Sequence, residues 1–282
     1  MRCIKMPNIQ NLVPSARASI SFPLGQTYEK LYFYLGTTGL TKAAITNIVM
    51  KINNKEFQRW NSAADLEVLN AYKGNATANA AYLVFDFTER LARQEVGMKL
   101  GTIAACMEAG VQSFTLEFDI AAFTVTGGFT PYIYADVSEP SSNRVVQRVQ
   151  MQQKALSAAV QDIFYIPFGS SGYQVKRLIL KHVNLASVKI RRDGVDVYED
   201  LPVALSNLRE QDFGRVPVAG YQVVDFIPDT LASNAFNSAF TQVQTPNGPA
   251  AIPVQNLDAR LTVSAADTIT IYTESFSLNT SL

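Results

Sequence analysis

The sequence predicts an all-β protein made of two tandem eight-stranded jelly rolls, with short helices in the loops. Three observations lead to this prediction. Short apolar or alternating segments recur along the 282 residues and are separated by Gly, Asn and Pro, the pattern of strands and turns. The composition favours β structure, since 16 Phe and 12 Tyr accompany many Val, Ile and Thr residues. An internal duplication divides the chain into two similar halves.

The predicted strands are spaced as in a β-sandwich. Each half offers about eight such segments, with one short helix after the fourth or fifth, which fits a Greek-key or jelly-roll sandwich better than an up-and-down barrel. The clearest segments of the first half are residues 18–22, 30–35, 47–52, 80–87, 113–120 and 130–134.

Helical segments are few and short. Residues 62–69 begin with Ser62, a favourable N-cap residue, and place Leu66 and Leu69 on one face. Residues 94–100 predict one or two further turns, although a glycine inside the segment weakens the pattern. The single tryptophan, Trp60, is expected to pack beneath the first helix.

Segments of the first half recur in the second half, in the same order and at offsets between 138 and 145 residues. The most distinctive pair is Phe22-Pro23-Leu24-Gly25 with Ile166-Pro167-Phe168-Gly169, at an offset of 144. The other pairs are Met6 with Met151, Leu12 with Leu156, 49–52 with 187–190, 83–87 with 222–226, 114–120 with 258–264 and 132–134 with 270–272. Ordered matches with so little drift indicate a duplication.

The duplication sets the domain boundary and corrects one helical pattern. Residues 138–143 are polar and contain a proline, so we predict an N-terminal jelly roll over 1–139 and a C-terminal one over 140–282. Residues 144–160 have apolar residues at helical spacing, but their counterpart in the first half contains Pro7 and Pro14. Interior prolines disrupt a helix, so extended structure is predicted in both halves.

Composition excludes several classes of protein. A chain with 48% hydrophobic and 17% charged residues can bury enough apolar surface to fold, which excludes a disordered protein. Balanced charge, 24 basic against 24 acidic residues, and the lack of a basic block argue against direct nucleic-acid binding. No apolar run approaches the ~20 residues of a transmembrane helix or resembles a signal peptide, so the chain is expected to remain in the cytoplasm where it is made.

Few side chains can support catalysis. His182 is the only histidine, and it is expected to be a structural strand residue, because metal sites and nucleophilic triads need placed imidazoles. Cys3 and Cys106 are expected to be reduced thiols, since neither lies in a CxxC pair. Asp86 and Asp225 are equivalent acids of the two halves. They are predicted to be structural and not a catalytic dyad, since they lie in different domains.

One segment resembles a known family. Phe22-Pro23-Leu24-Gly25-Gln26-Thr27-Tyr28-Glu29 is similar to the Leu-Pro-Ile-Gly-Gln-Thr-Tyr-Glu stretch of the corticovirus major capsid proteins, which belong to the same capsid lineage as adenovirus-like proteins. Asp65-Leu66, Leu100-Gly101-Thr102 and Phe118-Asp119-Ile120 also match that family in order. The motif match covers roughly residues 2–120, whereas beyond it the second half resembles the family in strand pattern only.

This resemblance implies a structural protein of a membrane-containing phage. The implied assembly is a pseudo-hexameric homotrimer of double jelly rolls, and such capsomers tile an icosahedral shell over an internal lipid membrane. The implied partners are neighbouring capsomers, penton or minor capsid proteins and virion membrane proteins, without direct contact to nucleic acid. The expected location is the virion capsid, assembled in the cytoplasm of a bacterial host, and no catalytic residues or required cofactors are expected.

Four acidic residues are weak candidates for a calcium site: Asp193, Asp196, Glu199 and Asp200. Oxygen ligands at this density could bind Ca²⁺, and the family resemblance implies structural calcium between capsomers. A solvated β-turn at Asp193-Gly194 is the interpretation that we favour.

Two other functions are possible from the sequence. A tandem β-sandwich that binds carbohydrate or a receptor would expose Trp and Tyr on one face, and a two-domain glycan hydrolase would need two acids close together in a groove. The low-charge loops 125–129 and 230–252 are expected at a surface or between capsomers, where deletion would spare domain folding.

Overall fold

The computed structural model describes residues 2–36, 39–75, 79–92, 94–124, 131–157, 161–168, 174–246 and 248–281. These residues form two compact units, one ending at Gln150 and the other spanning Met151–Ser281. The boundary predicted between residues 139 and 140 lies between the ninth and tenth strands of the chain. Each unit is a sandwich of two antiparallel sheets, so the predicted all-β fold class is confirmed.

The described residues of unit 1 form nine strands and two α-helices. In chain order they are β1 (Arg2–Lys5), β2 (Arg17–Ser21), β3 (Gln26–Tyr34), β4 (Ile45–Ile52), β5 (Lys55–Ser62), α1 (Ala63–Tyr72), β6 (Tyr82–Asp86), α2 (Glu95–Lys99), β7 (Ile103–Ala105), β8 (Phe114–Ile120) and β9 (Tyr132–Ser138). One sheet has the order β1-β9-β3-β6, with β7 beside the start of β3, and the other has the order β2-β8-β4-β5. All six strands predicted in the first half are present.

Unit 2 repeats this arrangement. Strand β10 begins in unit 1 and continues into unit 2, and it is grouped here with unit 2. The elements are β10 (Val145–Leu156), β11 (Gln161–Tyr165), β12 (Gln174–Lys181), β13 (Leu185–Arg192), β14 (Val195–Pro202), α3 (Val203–Gln211), β15 (Tyr221–Asp225), β16 (Phe236–Asn237), β17 (Phe240–Thr245), β18 (Gly248–Pro253), β19 (Leu257–Val263) and β20 (Asp267–Leu278). Its sheets have the orders β10-β20-β12-β15 and β11-β19-β13-β14. Strand for strand, these are the orders of unit 1, and this identity supports the predicted duplication.

Alternating side chains build the core of each unit. In β8 every second residue is buried, from Phe114 to Ile120, and β3 turns Leu31 and Phe33 inward. The core of unit 2 is mainly aliphatic and includes Leu178, Leu180 and other buried Val, Ile and Leu residues. Sheet stacking of this kind requires apolar residues on the inner faces only, which explains the alternating pattern in the sequence.

The first helix and the extended segment match their predictions. Ser62 caps α1, since its side chain accepts a hydrogen bond from the Asp65 amide at 3.3 Å. Trp60 lies on β5, against which α1 packs, and it is only 1% exposed. Residues 145–156 form strand β10, which confirms extended structure there, while 158–160 lie outside the described residues.

The motif at residues 22–29 has a structural explanation. The phenyl ring of Phe22 stacks on Phe114 at 4.5 Å, and the Tyr28 hydroxyl donates to the carbonyl of Pro23 at 2.7 Å. Gly25 has a φ of +91°, a conformation that favours glycine, and its amide donates to Ala105. Burial also raises the pKa of the Tyr28 hydroxyl to about 12. These contacts show that the motif fixes the turn between β2 and β3.

The structure corrects two of the repeat alignments. The hairpin tips Asn53-Asn54 and Asp193-Gly194 are equivalent, so 49–52 align with 189–192 at an offset of 140 and not 138. Phe114 of β8 lies opposite Ile52 of β4, and Leu257 of β19 lies opposite Arg192 of β13. Phe114 and Leu257 are therefore equivalent, so the segment that begins at residue 114 aligns with the second half at an offset of 143 and not 144. The alignment of 83–87 with 222–226 is correct, because β3–β6 and β12–β15 have equivalent registers.

The segment 230–252 is more ordered than the predicted loop. It contains β16, which pairs with β12, and most of the β17–β18 hairpin. Thr230 and Ala239 are buried, whereas Phe240 and Ile252 are exposed. Only the hairpin thus matches a surface loop. The predicted loop 125–129 lies outside the described residues.

Candidate functional site

A ladder of opposite charges crosses three strands on the outer face of one sheet of unit 1. Lys30 in the middle strand β3 lies opposite Asp86 of β6 and Asp136 of β9. The Lys30 ammonium donates to Asp86 Oδ2 at 2.5 Å, and the Tyr32 hydroxyl donates to Asp136 at 2.8 Å. Asp86 also accepts the backbone amide of Thr88, two residues further on. Every oxygen of Asp86 is thereby occupied by neighbours within the fold.

Unit 2 contains the same ladder at the equivalent positions. Arg177 of β12 lies opposite Asp225 of β15 and Glu274 of β20. Arg177 donates from Nε to Asp225 at 2.9 Å and from Nη1 to Glu274 at 3.0 Å, and all three side chains are fully buried. Lys176 pairs with Glu274 at 2.8 Å. Lys176 lies at a β-bulge, as does Glu29 at the equivalent place in unit 1. Asp86 and Asp225 thus hold strands together in separate ladders.

Sequence reasoning found the acids of the ladders but not their partners. Lys176-Arg177 interrupts an apolar strand with two charges, and this pattern could have indicated a buried ion pair. Sequence reasoning also missed Glu210 of α3. Burial and the negative charge of Asp225 raise the pKa of the Glu210 carboxyl to about 9. The counterpart of Glu210 at the hairpin offset of 140 is Asn70, a neutral side chain that donates to Val84. Both positions therefore carry a neutral group at pH 7.

Asp193, the first calcium candidate, occupies a hairpin tip. Its Oδ1 accepts the amides of Gln255 and Asn256 at 2.8 and 2.9 Å, and Thr241 donates to its Oδ2. Burial alone would raise the pKa of Asp193, but these donors outweigh it and lower the pKa. In unit 1, Asn53 accepts the amides of residues 112 and 113 in the same way. Because an uncharged amide performs the equivalent task, this geometry needs no metal ion.

The other three candidates are on β14. Asp196 pairs with Lys189 at 2.7 Å and with Arg191 at 3.0 Å, whereas Glu199 and Asp200 are exposed. Across the described ranges, no group of three or more His, Cys, Asp or Glu side chains is placed to hold a metal ion. The structure therefore does not bring the four acids together as a ligand set.

The histidine and cysteines have structural surroundings. His182 follows β12, and its Nδ1 accepts the amide of Leu185 at 3.3 Å. Burial lowers the pKa of His182, while the charge of Asp267 opposes that effect. Both cysteines are free thiols. Cys3 is exposed on β1, and Cys106 is buried with its sulfur 3.1 Å from the carbonyl of Ser141.

Strands β5 and β14 are equivalent, but a further strand pairs with the outer edge of β5 and none of the described strands pairs with the outer edge of β14. Within unit 1, the edge of β5 is closed by the first part of β10. Val149 pairs in parallel with Gln58, whose side chain donates to the Gln147 carbonyl at 2.9 Å. In unit 2, β14 ends its sheet, and Val195, Glu199 and Asp200 are exposed.

Strand β1 is the counterpart of β10, since each begins its unit and lies beside the last strand of that unit. It carries Arg2 and Lys5, and the described part of the chain offers no carboxylate as an ion-pair partner to either residue. The chain therefore presents one acidic edge strand and one basic edge strand.

One groove in unit 1 has a volume of about 750 Å³ and includes Glu95, Lys99 and Glu139 in its walls. Lys99 pairs with Glu95 at 2.8 Å and lowers the pKa of Glu95, so this carboxyl is ionised at neutral pH. Glu210 has a raised pKa, but its cavity has a volume of only about 40 Å³. Neither acid thus has both the protonation and the space that a glycan hydrolase requires.

Comparison with solved structures identifies the class of fold. The major capsid protein P2 of bacteriophage PM2 matches with a TM-score of 0.83 and 16% identity, over 98% of this chain and 97% of that chain. The major capsid protein of Sulfolobus turreted icosahedral virus matches with a TM-score of 0.64 and 12% identity, over 98% and 96%. The capsid of the virus PBCV-1 gives 0.54 and 11%, over 98% and 92%. The fold is thus the double jelly roll of viral capsid proteins.

Family models give the narrower assignment. The N-terminal domain of viral coat protein P2 matches residues 3–137, and the C-terminal domain of the same protein matches residues 146–279. The chain therefore belongs to the viral coat protein P2 family and is a viral major capsid protein, as the corticovirus resemblance implied. A search of curated protein sequences found no match. Among the helices that the structure describes, none has the length and apolar character needed to cross a membrane.

Proposed function

We propose that three copies of this chain form a capsomer with a pseudo-hexagonal outline. The observation that carries the proposal is the repetition of strand order and charge ladder in both units, with Lys30 and Arg177 at equivalent places. Three chains then supply six similar jelly rolls around one axis. Such a ring can occupy positions of local six-fold packing in an icosahedral shell, because closed rings arise from repeated heterologous contacts.

The resemblance to the corticovirus capsid proteins supports further parts of the proposal. The capsomers enclose an internal lipid membrane and meet penton or minor capsid proteins and virion membrane proteins. Assembly takes place in the cytoplasm of a bacterial host, and the role is structural without catalysis. The ionised Glu95 and the small cavity at Glu210 support a non-enzymatic role. Structural calcium between capsomers is also a proposal. The counterpart of Asp193 in unit 1 is the neutral Asn53, which caps its hairpin tip in the same way, and this equivalence does not favour a calcium ligand at Asp193.

A carbohydrate- or receptor-binding function is the weaker alternative. Sugar-binding sandwiches present aromatic rings on an open face, but Trp60 is 1% exposed.

Electron microscopy of the purified chain tests the proposed trimeric capsomer. We expect three-fold particles with a hexagonal outline and six density lobes. Particles of single two-lobed chains at every concentration would contradict it.

A further inference from the structure

The two units differ in one respect that the duplication does not explain. The edge of β5 in unit 1 is buried: Gln58 is 3% exposed, and the residues that cover it, Gln147 and Val149, are 2% and 1% exposed. The equivalent strand β14 has no such cover among the described residues, and Val195 at its start is 66% exposed. Bare edge strands are usually blocked or paired, because their unpaired amides and carbonyls attract other strands.

The strand that would provide this cover is also bare. In unit 1 the cover comes from β10, and the counterpart of β10 is β1, which pairs only with β9 in the described part of the chain. Three of its four residues are exposed. If the same strand pairing is repeated between copies, β1 of one copy lies beside β14 of another.

We propose that β1 of one subunit adds in parallel to the edge of β14 of the neighbouring subunit and so closes the trimer. This inference rests on the proposed trimer and names the strands that form its contact. It is a case of β-strand addition, in which main-chain hydrogen bonds supply affinity and side chains supply specificity.

The register of the contact follows from the β5–β10 pair. Gln58 and Tyr198 are equivalent at the hairpin offset of 140. We align Ile4 with Val149 by the sequence match of Met6 with Met151, at an offset of 145. Transferring the Gln58–Val149 pair places Ile4 beside Tyr198.

This register matches opposite charges. Lys5 lies beside Glu199, and Arg2 lies beside Asp196. Opposite charges directly across neighbouring strands stabilise the pairing. The acidic cluster on β14 is thereby a docking surface for a basic strand of a second copy.

Cys3 provides a natural probe of this contact, because it is exposed whereas Cys106 is buried. The register places Cys3 beside Val197. We would make Val195→Cys, Val197→Cys and Leu201→Cys one at a time and treat each variant with a short bismaleimide. The reaction is run at alkaline pH, since burial and the Asp136 carboxylate raise the pKa of the Cys3 thiol. Val183→Cys, an 81% exposed position away from β14, is the matched control.

We expect Val197→Cys to give covalent dimers and trimers but nothing larger, because a three-membered ring closes on itself. Val183→Cys should give none, and adding Cys3→Ser to Val197→Cys should abolish the products. An oligomer that forms normally but cross-links at none of the three β14 positions would overturn the inference and leave the trimer standing. Monomers of the unmodified chain at all concentrations would overturn the trimer as well.

A charge exchange gives an independent reading. Lys5→Glu or Glu199→Lys alone should weaken subunit association about tenfold, and the double variant should restore it, since the pair becomes attractive again. Equal weakening in the single and double variants would overturn the assigned register. Circular dichroism of each variant separates loss of association from loss of folding.

Discussion

Arg177 lies directly across from Asp225 on the neighbouring strand, and both side chains are fully buried. Lys30 and Asp86 occupy the same two places in the other unit, where the lysine is 12% exposed. Two copies of one duplicated fold have therefore retained a buried ion pair at the same cross-strand position. Buried pairs add little stability over apolar residues, but they are costly to break, because the remaining charge lacks its partner.

Breaking the ladder of unit 2 should therefore destabilise the protein strongly. Arg177→Met removes the guanidinium that bridges the buried carboxylates of Asp225 and Glu274 on either side of β12. Lys176 still pairs with Glu274, and Arg215 still lies 3.5 Å from Asp225, so we expect a loss of about 3 kcal/mol in the free energy of unfolding. Urea denaturation followed by fluorescence measures it. Arg59→Met is the control, since its pair with Glu56 is about 40% exposed on both sides and should contribute less than about 1 kcal/mol. Equal losses in the two variants would contradict a structural ladder.

The hairpin tip should tolerate an amide at residue 193. Asp193→Asn keeps an oxygen that accepts the amides of Gln255 and Asn256, as Asn53 does in unit 1, so stability should change by less than about 1 kcal/mol. Asp193→Gly retains the backbone freedom that the φ of +50° requires but removes the acceptor, which should cost about 1–3 kcal/mol. Thermal unfolding compares the two variants.

The same pair of variants tests the calcium proposal. Isothermal titration with Ca²⁺ should give equal heats for the unmodified chain and for Asp193→Asn, if Asp193 only caps the hairpin. A binding isotherm that is present in the unmodified chain and lost in Asp193→Asn would show that this carboxylate is a ligand.

Glu210 should make stability depend on pH. Burial, with help from Asp225, raises the pKa of Glu210 from 4.5 to about 9, so this carboxyl takes up a proton on folding between these values. Its contribution is therefore fully present below pH 4.5 and is lost as the pH rises through 9, with a slope of up to about 1.4 kcal/mol per pH unit. Glu210→Gln removes this slope. The test is urea denaturation between pH 7 and 9, above the range in which His182 titrates, and an unchanged slope in the variant would refute the assignment.

The β17–β18 hairpin should be dispensable for folding. The Val254 amide donates to the Ala239 carbonyl at 2.9 Å, so the chain ends on either side of residues 240–253 are already bonded. Replacing those residues with an Asn-Gly turn should leave the unfolding midpoint of the chain nearly unchanged. Loss of soluble expression would show that the hairpin supports the domain. Deleting all of 230–252 is a poorer test, since it also removes β16 from its sheet.

The sequence was sufficient for the architecture because alternation and turn residues are local signals. The strands at β2 and β8 and the cap at Ser62 followed from such signals, and their positions are correct to within a few residues. The duplication then extended the prediction to the second half. Strand β5 was less apparent, since Lys55, Glu56 and Arg59 give it a polar appearance although Phe57 and Trp60 are buried.

Exact registers and buried partners were beyond the sequence. A β-bulge between Met50 and Lys51 and another between Ile190 and Arg191 shift the pairing by single residues, and similarity of Val, Ile and Lys residues cannot detect such shifts. Arg177, the cross-strand partner of Asp225, lies 48 residues away in the sequence, and Glu274, which Arg177 also pairs with, lies 97 residues from Arg177. Only the folded sheets bring these side chains together.

The mass of the chain in solution, measured by light scattering with and without a calcium chelator, decides whether the capsomer exists. Three chains of 31.0 kDa amount to 93 kDa, and we expect this mass in both conditions if calcium is not needed within the trimer. A trimer that dissociates on chelation would place a metal at the subunit contact. A persistent 31.0 kDa monomer that binds sugars in a glycan screen would contradict the capsomer and favour the carbohydrate-binding alternative.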